Sequence, residues 1–152
     1  LADFEWVELE VMEAAVEAKP RQVGERDLDD ALAFASARPV LVDVVYLRRY
    51  KYPVMSISKS LLDGEKLPRR VKKEETFIAI YRDMQNHECR FLELGELSFD
   101  VLTKLQENPE TNYGELIKYA VNQCSDGAEE TVQEFLNLIN ELKEAELIIG
   151  DV

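Results

Sequence analysis

Two runs decide how this chain is read: Thr76-Phe77-Ile78-Ala79-Ile80-Tyr81-Arg82, and then Cys89-Arg90-Phe91-Leu92-Glu93-Leu94. Both favour a pleated backbone, and the polar residues 83–88 between them suit a hairpin loop. Three helical patterns follow. Ser98 is the expected cap of a helix over 99–107, with Val101, Leu102 and Leu105 facing inward, and Asn108-Pro109 closes it. Thr111 or Asn112 caps the next, whose inward set is Leu116, Ile117, Ala120, Val121 and Cys124. Ser125-Asp126-Gly127 breaks the chain. A helix over 128–145 then carries Val132, Phe135, Leu136, Ile139 and Leu142 on one stripe. Leu147-Ile148-Ile149 reads as a short closing strand. A hairpin, three helices and a closing strand make a winged-helix-like unit.

The charge of this segment argues against the ligand such a shape usually holds. From residue 83 to the end stand sixteen Asp and Glu against four Lys and Arg, a net charge of −12. A DNA reader gains much of its affinity by neutralising phosphates. This segment would repel them, and a protein or peptide suits it better.

Working outward, residues 2–18 predict a helix with two apolar stripes. Phe4, Val7, Val11, Ala14 and Ala18 form one, and Trp6, Leu9, Met12 and Val16 the other. Such a helix is sandwiched between neighbours or covers a missing partner. Lys19-Pro20 ends it. Asp27 caps a short helix over 28–37, stopped by Arg38-Pro39. Residues 40–47, rich in Val, predict one strand, with Asp43 giving it a wet side. Val54–Leu62 predicts a short helix, Asp63-Gly64 a turn, and 65–75 a charged link. The expected fold is α+β, with N-terminal helices and a strand (1–75) packed with the winged-helix-like unit (76–152).

At 152 residues, 46% hydrophobic and 32% charged, the composition is that of an ordinary globular protein. No apolar run approaches the roughly 20 residues needed to cross a bilayer. The chain opens at Leu1 without a basic-then-apolar leader, so a processed fragment with an upstream domain is expected. Cys89 and Cys124 are too few for a disulfide scaffold, and a cytoplasmic location fits them. Residues 48–73 hold nine bases against two acids, half of all the Lys and Arg. This run reads as a solvated connector or as a binding face.

Chemistry-bearing patterns are few. His87, the single histidine, sits two residues from Cys89, but a structural zinc site needs four ligands. No nucleophile elbow and no glycine-rich phosphate loop is present. No catalytic group, cofactor or metal is therefore expected. Most aromatics fall at core spacing. Tyr46, Tyr50 and Tyr52, interleaved with Arg48, Arg49 and Lys51, are the exception, because Tyr and Arg are enriched among interface hot spots.

Two stretches suggest relatives. Leu1-Ala2-Asp3-Phe4-Glu5-Trp6-Val7-Glu8-Leu9 resembles the Leu-Ala-x-Leu-Glu-Trp start of the C-terminal domain in HvfC/BufC-like proteins, which long carried a DNA-binding label. Arg49-Tyr50-Lys51-Tyr52-Pro53-Val54 is similar to that family's aromatic-Pro-Val step. Phe4 stands where the family has Leu, and Met55-Ser56-Ile57-Ser58 lacks the Trp expected there. Separately, residues 91–149 resemble a PqqD-type peptide-recognition element. The resemblance implies a non-catalytic partner in ribosomal peptide maturation, working beside a multinuclear iron oxidative enzyme on a precursor peptide. Arg90, Phe91, Glu93, Tyr46, Arg48, Arg49 and Tyr50 are then the expected contact residues, with Cys89–Leu94 as a pairing edge and the outer side of the 128–145 helix as its flank. The rivals are a winged-helix DNA regulator, whose recognition helix would offer only Lys118, and a homodimerisation or scaffold domain.

Overall fold

A computed structural model describes residues 1–14, 30–125 and 127–152. Helix α1 (Ala2–Glu13) is followed by α2 (Ala31–Ser36), β1 (Pro39–Leu41), β2 (Val45–Tyr50) and α3 (Val54–Leu62). Then come β3 (Thr76–Arg82), β4 (Cys89–Leu94), α4 (Glu96–Glu107), α5 (Tyr113–Gln123), α6 (Ala128–Glu144) and β5 (Ile148–Asp151). The fold is α+β.

An antiparallel sheet of order β2-β3-β4 organises the molecule. Its middle strand is buried on both faces, which is why Phe77-Ile78-Ala79-Ile80-Tyr81 is apolar without alternation. Ile78 and Ile80 face one core, formed with Phe4, Val7 and Val11 of α1 and Val54 of α3. Ala79 and Tyr81 face the other, built with Val101, Leu102 and Leu105 of α4, Leu116 of α5, and Phe135 and Ile139 of α6. The sheet is thus sandwiched between α1 with the start of α3 on one side and the three C-terminal helices on the other. β2 from the first seventy-five residues pairs along its length with β3 from the rest, Val45 opposite Tyr81 and Tyr50 opposite Thr76.

The strand expected over 40–47 is two strands in two sheets. β1 pairs with β5, and Val42 N–H still bonds Leu147 C=O, whereas Val44 C=O accepts from Arg82 N–H on β3. Between them Asp43 is exposed. One β-branched run therefore supplies two sheets, and the chain changes sheet at its single charged residue. The closing strand lies beside β1, away from the hairpin.

Other expected boundaries shift for local reasons. α1 is described over Ala2–Glu13: Ala14 leaves the helical region, and the guanidinium of Arg82 bonds its carbonyl. Val16, Ala18, Lys19-Pro20 and the cap at Asp27 lie outside the described residues. Asp30 caps α2, its carboxylate accepting from Leu32 N–H at 3.1 Å. Helix α4 begins three residues before Phe99 with Gly95 at its cap, which places Ser98 inside the first turn. Asn112 caps α5 in a capping box with Glu115. The buried stripe of α6 runs through Thr131, Phe135, Leu138, Ile139 and Leu142, leaving Val132 and Leu136 half-exposed. Contacts with α5 on one side and β5 on the other turn the helix to that arc.

Candidate functional site

Within an antiparallel pair, alternate residues point their backbone groups at the partner strand and the rest point away. The Val44–Arg82 bond directs the N–H and C=O groups of residues 44, 46, 48 and 50 toward β3. Those of Val45, Leu47 and Arg49 therefore face outward. Likewise Asp83 N–H bonds Glu88 C=O, so residues 90, 92 and 94 pair inward, and Cys89, Phe91 and Glu93 present theirs to the outside.

The two outer edges are not equivalent. On β2, Gln106 Nε2 of α4 donates to Val45 C=O at 2.9 Å, and Arg48 Nη1 donates to Leu47 C=O at 3.2 Å. These side chains take two of the outward carbonyls and so blunt part of the edge, leaving the outward N–H groups of Val45, Leu47 and Arg49 without a bond among the described residues. On β4, no side chain among the described residues bonds the outward backbone groups of Cys89, Phe91 or Glu93. The outward row of β4 is therefore the less covered of the two, its donors and acceptors spaced for an added strand.

The structure divides the expected contact residues between the faces of the sheet. Tyr46, Arg48, Tyr50 and Phe91 gather beneath α1. Phe91 packs on Phe4, ring centroids 4.9 Å apart, and Tyr50 meets Phe4 edge-on at 6.3 Å. Tyr50 Oη donates to Asp3 Oδ2 at 2.8 Å, and Arg48 Nε lies 3.4 Å from the same oxygen, its guanidinium 5.6 Å from the Tyr46 ring. Burial first, and then the hydrogen bond to Asp3, push the Tyr50 hydroxyl well above the usual phenol range. Three of the Tyr/Arg residues therefore form a clasp holding the first turn of α1 on the sheet. Arg49 points to the opposite face, paired with Glu75 at 2.7 Å and 5.7 Å from the Phe77 ring centroid.

Arg90 sits at the hairpin end. It pairs with Asp83, and its Nη1 lies 3.9 Å from Glu146 Oε2. Asp83 is buried, and its Oδ1 accepts from Gln85 N–H at 2.7 Å and Asn86 N–H at 3.3 Å. The Gln85 N–H is the largest cause holding this carboxyl below the usual Asp range, with Asn86 N–H and Arg90 adding to it against burial. Glu93 is exposed at the open end of β4, opposite Ile78. Of the seven residues, Phe91 and Glu93 have outward backbone groups on β4.

Chemical reactivity along this edge is low. Cys89 is half-buried, and burial first, then Glu8, push its thiol up to about 11, so it stays protonated at neutral pH. His87 is exposed in the hairpin loop at a left-handed φ of 60°. A cleft of about 770 Å³ opens between β1 and the end of α4, lined by Leu41, Val42, Leu105, Gln106 and Pro109 among others. Arg38 and Glu110 form an ion pair at its rim. Gln106 was not an expected site residue: it lies sixty-one positions from the carbonyl it covers, and no local pattern marks it. The clasp role of Asp3 was equally hidden, since in sequence it is simply an acid in a first helical turn.

No helix among the described residues is long and apolar enough to cross a membrane. No curated protein and no solved structure matches the chain. A family model described as the HvfC C-terminal domain matches residues 42–143, from the bend between β1 and β2 to the last turn of α6. That span contains the whole β2-β3-β4 sheet with both its edges, and most of the helical face behind it. The chain belongs to the HvfC C-terminal domain family.

Proposed function

We propose that this protein is a non-catalytic adaptor that captures an extended segment of a precursor peptide and presents it to an iron-dependent peptide-modifying enzyme. The observation that supports the reading is the difference between the sheet's two edges. On β2 the outward carbonyls of Val45 and Leu47 are taken by Gln106 and Arg48, while on β4 no side chain among the described residues bonds an outward group of Cys89, Phe91 or Glu93. In β-strand addition, main-chain hydrogen bonds supply affinity, and the side chains flanking the edge supply selectivity. Family membership supports a partner-type role, and the resemblance of the opening residues points the same way.

The electrostatics favour a basic peptide segment or a basic enzyme face. The chain carries a net charge of −13, and Glu93 stands exposed on the edge itself. The same field disfavours nucleic acid: the exposed face of α5 offers Lys118, and Lys104 is drawn 4.9 Å from the Tyr119 ring centroid.

Calorimetric titration of the chain with candidate precursor peptides and with any iron-dependent oxidative enzyme found encoded near its gene tests the reading. Saturable binding to at least one is expected, weakening as salt rises. Absence of binding to both overturns it. A gel shift with duplex DNA at low salt, where nonspecific affinity is greatest, is expected to be blank. A salt-sensitive shift would move the protein to the DNA-regulator reading.

A further inference from the structure

The outer face of α1 carries Trp6, Leu9 and Met12, all exposed, with the indole 62% accessible. That indole is held in one orientation, because its Nε1 donates to Glu10 Oε1 at 2.9 Å. An exposed, oriented Trp on an apolar stripe is uncommon on a solitary soluble molecule and is characteristic of contact surfaces. Every ionisable side chain on α1 is acidic: Asp3, Glu5, Glu8, Glu10 and Glu13. Asp3 serves the clasp and Glu10 the indole, whereas Glu5 and Glu13 are exposed beside the stripe.

A second patch has the opposite character. At the end of α3 and in the connector after it, Leu61, Leu62 and Leu67 are exposed, Leu62 at 85%. Lys59, Lys66, Arg69 and Arg70, within a few residues of them in sequence, are also exposed. Residues 48–73 as a whole carry nine bases and two acids. Both patches belong to elements rooted in one core, where Phe4, Val7 and Val11 share a cluster with Val54 on the same side of the sheet.

We infer that the occupant of each patch is the other patch on a second copy of this chain. The acidic apolar stripe of one protomer's α1 seats on the basic apolar end of its partner's α3, and the reciprocal contact forms about a two-fold axis. Burial of Trp6 and Leu62 supplies the drive, and the opposed charges set the register. A stripe that met its own copy would bring Glu5 and Glu13 against acids, so the arrangement is cross-paired. The two-fold duplicates each contact, as isologous interfaces do. This assembly is independent of peptide capture at β4.

Sedimentation equilibrium of the full chain at low salt is the test. A reversible dimer is expected, with a dissociation constant in the micromolar range, weakened about tenfold or more at 0.5 M salt, roughly where charges beyond ~4 Å are screened. Glu5→Lys with Glu13→Lys should give a monomer, as should Lys66→Glu with Arg69→Glu, while circular dichroism melts show both folded. An equimolar mixture of the two variants should dimerise again, because each of its two contacts then pairs opposite charges. A chain monomeric up to about 0.1 mM, a dimer that survives either reversal, or a mixture that stays monomeric overturns the inference.

Discussion

Asp83 shows how one side chain sets the shape of the edge. Its carboxylate bonds the Gln85 and Asn86 N–H groups and pairs with Arg90, closing the hairpin so that Cys89 enters β4 in register with Arg82. Asp83→Ala leaves the Gln85 and Asn86 N–H groups and the Arg90 guanidinium without their acceptor. A loss of about 2 kcal/mol in urea unfolding is expected. The pH dependence has a definite sign. Because folding lowers this carboxyl's pKa, its contribution is fully present above the ordinary Asp value near 4 and disappears as pH falls through the lowered one. The stability difference between the protein and Asp83→Asn should therefore shrink as pH is lowered below about 4. A difference that grows with acid contradicts the assignment.

At the scale of elements, the two sheet edges differ through contacts that are remote in sequence. Glu93→Pro removes an outward N–H and no ladder bond, since Leu92 and Leu94 make the pairing to β3. Peptide affinity should fall about tenfold or more, the worth of roughly one main-chain hydrogen bond, measured by titration. Gln106→Ala uncovers Val45 C=O on the far edge and should leave that affinity within about twofold. The converse pattern would place the peptide at β2. Helix α1 is tested separately: Phe4 is buried against Phe91 and Tyr50, and Phe4→Ala should cost about 3 kcal/mol in chemical denaturation.

These elements also show what could be read in advance. The ranges of β3, β4 and α3 coincide with their sequence-based expectations, because burial on both faces gives β3 an apolar run that no helix period fits. The run 40–47 misled, since β-branched residues signal a strand without saying which sheet receives it. Helix α6 was recognisable from its amphipathic period, but its buried arc was not, because contacts with α5 and β5 rotate it toward Thr131 and Leu138. Among the site residues, β4 was legible as a hairpin strand. That β2 is the partly covered edge was not, for it depends on Gln106 reaching across from α4, and the Tyr/Arg cluster owes its clasp to Asp3, forty-seven residues from Tyr50.

For the whole molecule, the sheet separates two surfaces with different work. The C-terminal helices build a closed core behind it, and α1 with α3 covers the front while exposing apolar faces of opposite charge. β4 lies at one edge, its outward backbone groups without a hydrogen-bond partner among the described residues. A net charge of −13 sets the field in which any partner approaches. The central claim, that a peptide adds to β4, is tested most directly by amide hydrogen exchange, residue by residue, with and without the precursor peptide. Added protection is predicted at the outward N–H groups of Cys89, Phe91 and Glu93, with no change at Leu47 and Arg49 on the opposite edge. Peptide binding that protects β2, or leaves all three β4 amides unchanged, would contradict the account.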